Sequence, residues 1–175
     1  MIAIKHRKPN RLKNFDYSKS GYYFVTICIN KHECVFGEIK NEIMILNQYG
    51  IIIKKRYLDL INHYLNCSLD EFIIMPNHVH GIIVICNSNQ PVGNGLKPFP
   101  TNYSLSEIIR GFKTFSSRSI HESGLNSFRW QKSFYDHIIR NEYSLNIIRQ
   151  YILYNPGNWN VDRNFISSSI SSGSG

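Results

Sequence analysis

His78-Val79-His80 sets two imidazoles two residues apart. Side chains alternate along a strand, so such a pair shares one face and can reach one ion. On a helix the same spacing turns the rings about 200° apart, and the metal reading therefore requires Val79 to Cys86 to be a strand. Two histidines hydrogen-bonded at a strand end are the plain alternative. Tyr151 and Asn155 are four residues apart, which on a helix brings them to one face, at the edge of the stripe Leu145, Ile148 and Ile152. Two imidazoles and an amide oxygen leave room for phosphate oxygens, and they suit Mg²⁺ or Mn²⁺ better than a closed zinc site. A phenol with a pKa near 10 is only ~0.1% ionised at neutral pH, a deficit of about 4 kcal/mol. Attack by Tyr151 would therefore need a phosphodiester polarised by such an ion. The product would be a phosphotyrosine, which keeps the energy of the cleaved bond for rejoining.

The elements that must position these groups follow from pattern. Gly21 to Ile29 is aromatic and β-branched, and Cys34 to Ile39 and Glu42 to Ile45 follow short polar turns, which predicts a meander of adjacent strands. Behind Asn47, residues Tyr49, Ile53, Tyr57, Leu60, Ile61 and Tyr64 recur at helical spacing and predict a first helix. Leu69 to Met75 and Val79 to Cys86 read as two strands separated by Pro76 and Asn77, and residues 87–103, with three Pro and two Gly, as a long loop. Ser104 and Glu107 form a capping box for a second helix whose apolar face is Leu105, Ile108, Ile109, Phe112 and Phe115. Phe128 to Ile139 reads as extended, and Asn141 caps a third helix, Glu142 to Asn155, stopped by Pro156. The order predicts an α+β fold of ferredoxin-like kind, an antiparallel sheet with helices packed on it. The expected organisation is a basic arm over 1–20, one domain over 21–165, and a disordered Ser/Gly tail over 166–175.

Composition narrows the partner. Of 175 residues, 42% are hydrophobic and 18% charged, which excludes a largely disordered chain. No apolar run approaches the ~20 residues that span a bilayer, and the basic start lacks the apolar core of a secretory leader. Cys28, Cys34, Cys67 and Cys86 form no C-x-x-C pair, so reduced thiols in a cytoplasm are expected. A net charge of +8 is the footprint of a nucleic-acid binder. It concentrates in the stretch Lys5 to Lys19, with Lys8, Arg11 and Lys13, and in the stretch Lys97 to Arg149, with Arg110, Lys113 and Arg118 on the second helix. These six are the candidate phosphate contacts; a merely solvated face is the alternative. Tyr22, Tyr23 and Phe24 could stack bases but read mainly as core, and His137 beside Asp136 reads as a histidine satisfied by its neighbour.

The segments Arg7 to Lys13 with Asp16-Tyr17, Gly21 to Thr26, Met75-Pro76-Asn77-His78-Val79-His80, Trp130-Gln131, Asp136 to Arg140 and Tyr151-Ile152-Leu153-Tyr154-Asn155-Pro156 occur in one order. In these segments the chain resembles the HUH single-tyrosine transposases, especially the REP-associated tyrosine transposases of bacterial genomes. The resemblance implies the HUH endonuclease fold, a metal held by His78 and His80 with Asn155 as third ligand, and Tyr151 as nucleophile. It implies a single-stranded DNA hairpin as substrate, cut and rejoined without hydrolysis by a monomer or homodimer in the cytoplasm at the nucleoid. A domesticated hairpin-binding protein without strand transfer, and a metal-dependent nuclease that uses water, are the competing readings.

Overall fold

Strand β1 (Gly21–Cys28) buries Tyr23, Val25 and Ile27 on one face, and by alternation turns Tyr22, Phe24, Thr26 and Cys28 to the other. The computed structural model describes residues 15–86 and 102–161. Lys8, Arg11 and Lys13, nearly all of the expected loop and the expected tail lie outside these residues. After β1 the chain turns through Asn30–His32, where Lys31 and His32 adopt positive φ, and leaves the strand's edge. The hairpin β2 (Gly37–Lys40) and β3 (Ile43–Leu46) therefore forms its own two-stranded sheet, closed by Asn41 and Glu42 at φ 49° and 62° as a two-residue primed turn requires. This corrects the expected meander.

Asn47 caps helix α1 (Gln48–Leu58), its side-chain oxygen accepting from the Tyr49 and Gly50 N–H groups. The apolar stripe breaks at Asp59, and a single turn α2 (Leu60–His63) leaves Ile61 exposed. Strands β4 (Cys67–Ile74) and β5 (His78–Ile85) follow, then helix α3 (Leu105–Glu122) with its Ser104–Glu107 capping box, strand β6 (Tyr135–Ile139), and helix α4 (Glu142–Tyr154) capped by Asn141. Of the extended stretch expected from Phe128, the strand takes only Tyr135–Ile139, while Trp130 makes an isolated bridge to Ile29.

The main sheet is antiparallel in the order β4-β5-β1-β6. β5 is inserted between β1 and β4, which α1 connects, and β1 between β5 and β6, which α3 connects. That is the interleaved double βαβ of the ferredoxin-like fold. Among the described residues no helix is long and apolar enough to cross a membrane.

The sheet has two different faces. On one, Tyr23, Val25, Ile27, Val79, Ile83 and Ile85 pack with Ile53 and Tyr57 of α1 and Ile108, Ile109 and Phe112 of α3. Phe115, expected on this face, is exposed and stacks on His63; Ser116 and Ile120 are buried instead. On the other face a smaller cluster, Ile82, Ile139, Leu145 and Ile152, holds α4. Between Leu69 and Phe72 the register of β4 against β5 shifts, and such a bulge re-aims the residue beside it: Asp70 meets Arg149 of α4.

Gly81 lies between the two faces' demands. A Cβ there would stand 2.1 Å from the Tyr57 hydroxyl and 3.0 Å from Phe72 Cβ, on the packed α1/α3 side. Gly81→Ala should destabilise the fold by about 1–3 kcal/mol through overpacking, read as a lower urea midpoint. Adding Tyr57→Phe, which removes the nearest atom, should recover part of that loss.

Candidate active site

His78 and His80 stand on the α4 side of β5, both buried, their ring centroids 4.3 Å apart. Strand alternation achieves this, because Val79 between them enters the opposite core. Each ring is oriented by a neighbour. The Asn77 side-chain N–H donates to the His32 carbonyl at 3.0 Å, which fixes the amide so that its oxygen faces His78 Nδ1 at 2.7 Å. That oxygen can only accept, so the His78 proton is on Nδ1 and the lone pair on Nε2. Thr26, paired with His80 in the β1–β5 register, places its hydroxyl 2.9 Å from His80 Nδ1.

Helix α4 brings Tyr151 across this pair. Its hydroxyl is 3.3 Å from His80 Nε2, while 42% of the residue remains exposed. Phe24 stacks on His80 at 5.3 Å between centroids and meets the Tyr151 ring edge-on at 5.9 Å, so it sets the position of both. Asn155 is the C-cap residue of α4, fully buried one turn beyond Tyr151. The following 3-10 segment, Pro156–Val161, carries Trp159 to within 6.0 Å of the His78 ring. The chain from Tyr151 to Trp159 thus runs from His80 to His78, with Asn155 between.

The donor set is one that could hold a divalent cation. His78 is in the tautomer that presents a lone pair at Nε2, and His80 can match it when Thr26 accepts from Nδ1. His78 Nε2 and the Asn155 amide oxygen are both shielded from bulk solvent. Among the described residues no group of three or more His, Cys, Asp or Glu side chains is gathered. A cation here would have two imidazoles and an amide, with its other positions left to water or phosphate.

The six candidate phosphate contacts fare differently. α3 packs on the face opposite the histidines, so Arg110, Lys113 and Arg118 are not brought to them. Arg110 is exposed. Arg118 pairs with Glu122 at 2.9 Å. Lys113 donates to the carbonyls of Gln131 and Ser133 at 2.9 and 3.0 Å, which ties down the approach to β6. Asp136 and His137 occupy opposite faces of β6, opposite Val25 and Phe24 respectively, so the expected mutual satisfaction is geometrically excluded. Pattern reading gives no site role to Thr26, Asn77, Trp159 or the Asp70–Arg149 pair, and reads Phe24 mainly as core. Asn77 carried a signal in standing beside the H-x-H; the others are joined by long-range pairing alone.

No family model matches the chain. It is 36% identical over 172 residues to an uncharacterized protein of Haemophilus influenzae, covering 94% of this chain and 96% of that one. A second Haemophilus influenzae protein, provisionally named a REP-associated tyrosine transposase, is 24% identical over 143 residues, 81% of this chain and 73% of that one. Among solved structures, a REP-associated tyrosine transposase bound to a REP hairpin shares the fold, with a TM-score of 0.51 at 20% identity over 85% of this chain and 73% of that one. The chain is thus similar in fold, and more distantly in sequence, to REP-associated tyrosine transposases. In this chain the part that carries Tyr151 is mounted separately from the part that carries the histidines.

That mounting includes an ion pair. Arg149 Nε donates to Asp70 at 2.8 Å, and the second guanidinium nitrogen bonds the other carboxylate oxygen. The hydrogen-bonded guanidinium holds the Asp70 carboxyl below the usual carboxylate range. A carboxyl lowered in the folded state stabilises it above its unfolded pKa near 4, and the contribution is lost as pH falls through the lower folded value. The tether should therefore be intact at neutral pH. Asp70→Asn and Arg149→Ala should each loosen α4, read as faster amide exchange in 142–154 with the sheet strands unchanged. Equal exchange in the variants and the parent would show that the apolar cluster alone holds the helix.

Proposed function

We propose that the chain is a metal-dependent single-stranded DNA strand transferase, which cuts and rejoins DNA at hairpin sequences through a 5'-phosphotyrosine on Tyr151. The observation that carries this reading is the Tyr151 hydroxyl 3.3 Å from a buried, oriented histidine of an H-x-H pair. In a merely structural site a tyrosine would pack inward; here the ring is held by Phe24 and still meets solvent.

Tyr151 oxygen attacks the phosphorus, the P–O3' bond breaks, and the phenol proton ends on the departing 3'-oxygen. A 3'-hydroxyl attacking the phosphotyrosine reverses the step, so no water is consumed. Mg²⁺ or Mn²⁺, held by His78, His80 and Asn155, would supply Lewis-acid polarisation of the phosphate. Asn77 and Thr26 keep the imidazoles in the ligating tautomer and orientation, as the partners of metal-bound histidines commonly do. Phe24 restricts the Tyr151 ring so that its oxygen remains over the site. The inactive hairpin-binding protein and the water-using nuclease differ from this reading at Tyr151.

Tyr151→Phe should abolish cleavage and the covalent protein–DNA band on a denaturing gel, with binding retained. Cleavage by the variant at the parent's rate would favour the nuclease. His78→Ala and His80→Ala should each lose the heat of Mn²⁺ binding in calorimetry; unchanged heat in both would make the pair structural.

The cations of α3 divide by their contacts. Arg110→Ala should reduce the slope of log affinity against log salt by about 0.7, the contribution of one phosphate on a single strand. Lys113→Ala should instead lower thermal stability, because its ammonium holds two carbonyls. The reverse pattern would assign the phosphate contact to Lys113.

A further inference from the structure

The pairing register continues the site sideways. Thr26 of β1 is paired with His80 on one side and with Tyr135 of β6 on the other, and Phe24 with Ile82 and His137. His80, Thr26 and Tyr135 therefore form one row on the α4 side of the sheet, and Ile82, Phe24 and His137 the next. At about 4.8 Å per strand, Tyr135 stands about 10 Å from His80.

Both rows end on β6 in an exposed residue. The cluster Ile82, Ile139, Leu145 and Ile152 seats α4 over part of this face, whereas Tyr135 is 41% exposed and His137 is exposed. Phe24, between them and the nucleophile, packs against His80 and Tyr151, whereas the exposed parts of Tyr135 and His137 face solvent. Exposed Lys132 and Arg140 flank β6 at its two ends. An aromatic ring and an imidazole on an edge strand, bracketed by cations and beside a phosphate-directed tyrosine, match the surface that binds unpaired nucleotides, bases on rings and phosphates on cations.

We infer that Tyr135, assisted by His137, is the stacking ledge for unpaired bases of the strand that is cut at Tyr151. The inference rests on the strand-transferase reading and adds to it a residue that binds the single-stranded flank rather than the hairpin stem. Lys132 and Arg140 take the phosphates on either side of the stacked bases.

The test uses the full chain and a hairpin oligonucleotide from the DNA flanking its gene, made with and without its unpaired flank, with 2-aminopurine in the flank. Tyr135→Ala should weaken binding of the flanked hairpin about 5- to 100-fold, the range of one base–aromatic stack, and should leave the bare stem unaffected. It should also relieve the 2-aminopurine quenching seen with the parent. Tyr135→Phe should behave as the parent, and His137→Ala should lose part of the affinity. Far-ultraviolet circular dichroism confirms that each variant is folded; a Tyr135→Ala protein that fails to fold is replaced by Tyr135→Leu, for which the same loss is expected. Equal loss for flanked and bare hairpins, or no loss at all, overturns the ledge. If the parent forms the covalent adduct and Tyr135→Ala binds normally, the ledge fails and strand transfer stands. If the parent forms no adduct but flank binding still depends on Tyr135, strand transfer fails and the ledge stands as a binding surface. Absence of binding to either oligonucleotide overturns both.

Discussion

A slip of one residue in the pairing of β1 against β5 would carry His78 and His80 into the face packed by α1 and α3, and would bring Val79 out under α4. The register is fixed because both faces of β5 have demands. Val79, Ile83 and Ile85 fill the larger core, and Ile82 fills the smaller one. The same register sets Thr26 beside His80, Gly81 under the Tyr57 hydroxyl and Phe24 beside Ile82. The orientation of the imidazoles, the space for Tyr57 and the place of Tyr151 all descend from one choice of pairing. Two apolar cores, rather than any contact in the site, specify it.

The chemistry is divided between unequal supports. The histidines sit on a central strand, while Tyr151 is on a helix seated by four buried side chains and one partly exposed ion pair. Burying a large aliphatic side chain contributes at most about 1.5–3 kcal/mol, and a partly exposed pair contributes about 1 kcal/mol or less. The helix seat is thus the softer member. Under the strand-transfer reading, a tyrosine that holds a covalent strand end and later releases it is better carried on such an element than on the central strand, because local stability sets which parts of a fold can move without unfolding the rest.

What was legible in the sequence was local. Asn47, Ser104 with Glu107, and Asn141 announce helix starts through groups within three residues of one another, and each caps its helix. His78 and His80 share a face through the two-residue period, and Tyr151 with Asn155 through one helical turn. Two of the departures are non-local. β2 and β3 follow β1 in the chain and were expected beside it, yet positive φ at Lys31 and His32 turns the chain away and leaves the β1 edges to β5 and β6. Lys113 looks like any exposed cation in a helical pattern, and only the return of residues 131–133 gives it two carbonyls. Asp136 and His137 were read as neighbours able to satisfy each other, although the strand that contains them sends them to opposite faces.

Two imidazolium rings 4.3 Å apart would repel by about 4 kcal/mol at an effective dielectric near 20. Burial adds to that cost, since neither ring is open to water. The Asn77 amide oxygen selects the tautomer of a neutral His78 in which the solvent-shielded nitrogen carries the lone pair. A loose surface pair of histidines would lose its protons and fix its rings only as a cation arrived. Here the ring positions are set during folding, by an amide anchored to the His32 carbonyl and a threonine set by strand register. The same burial that makes the pair look like core is what the strand-transfer reading takes as preparation for a ligand, and the exposed Tyr151 above it is the feature on which that reading turns.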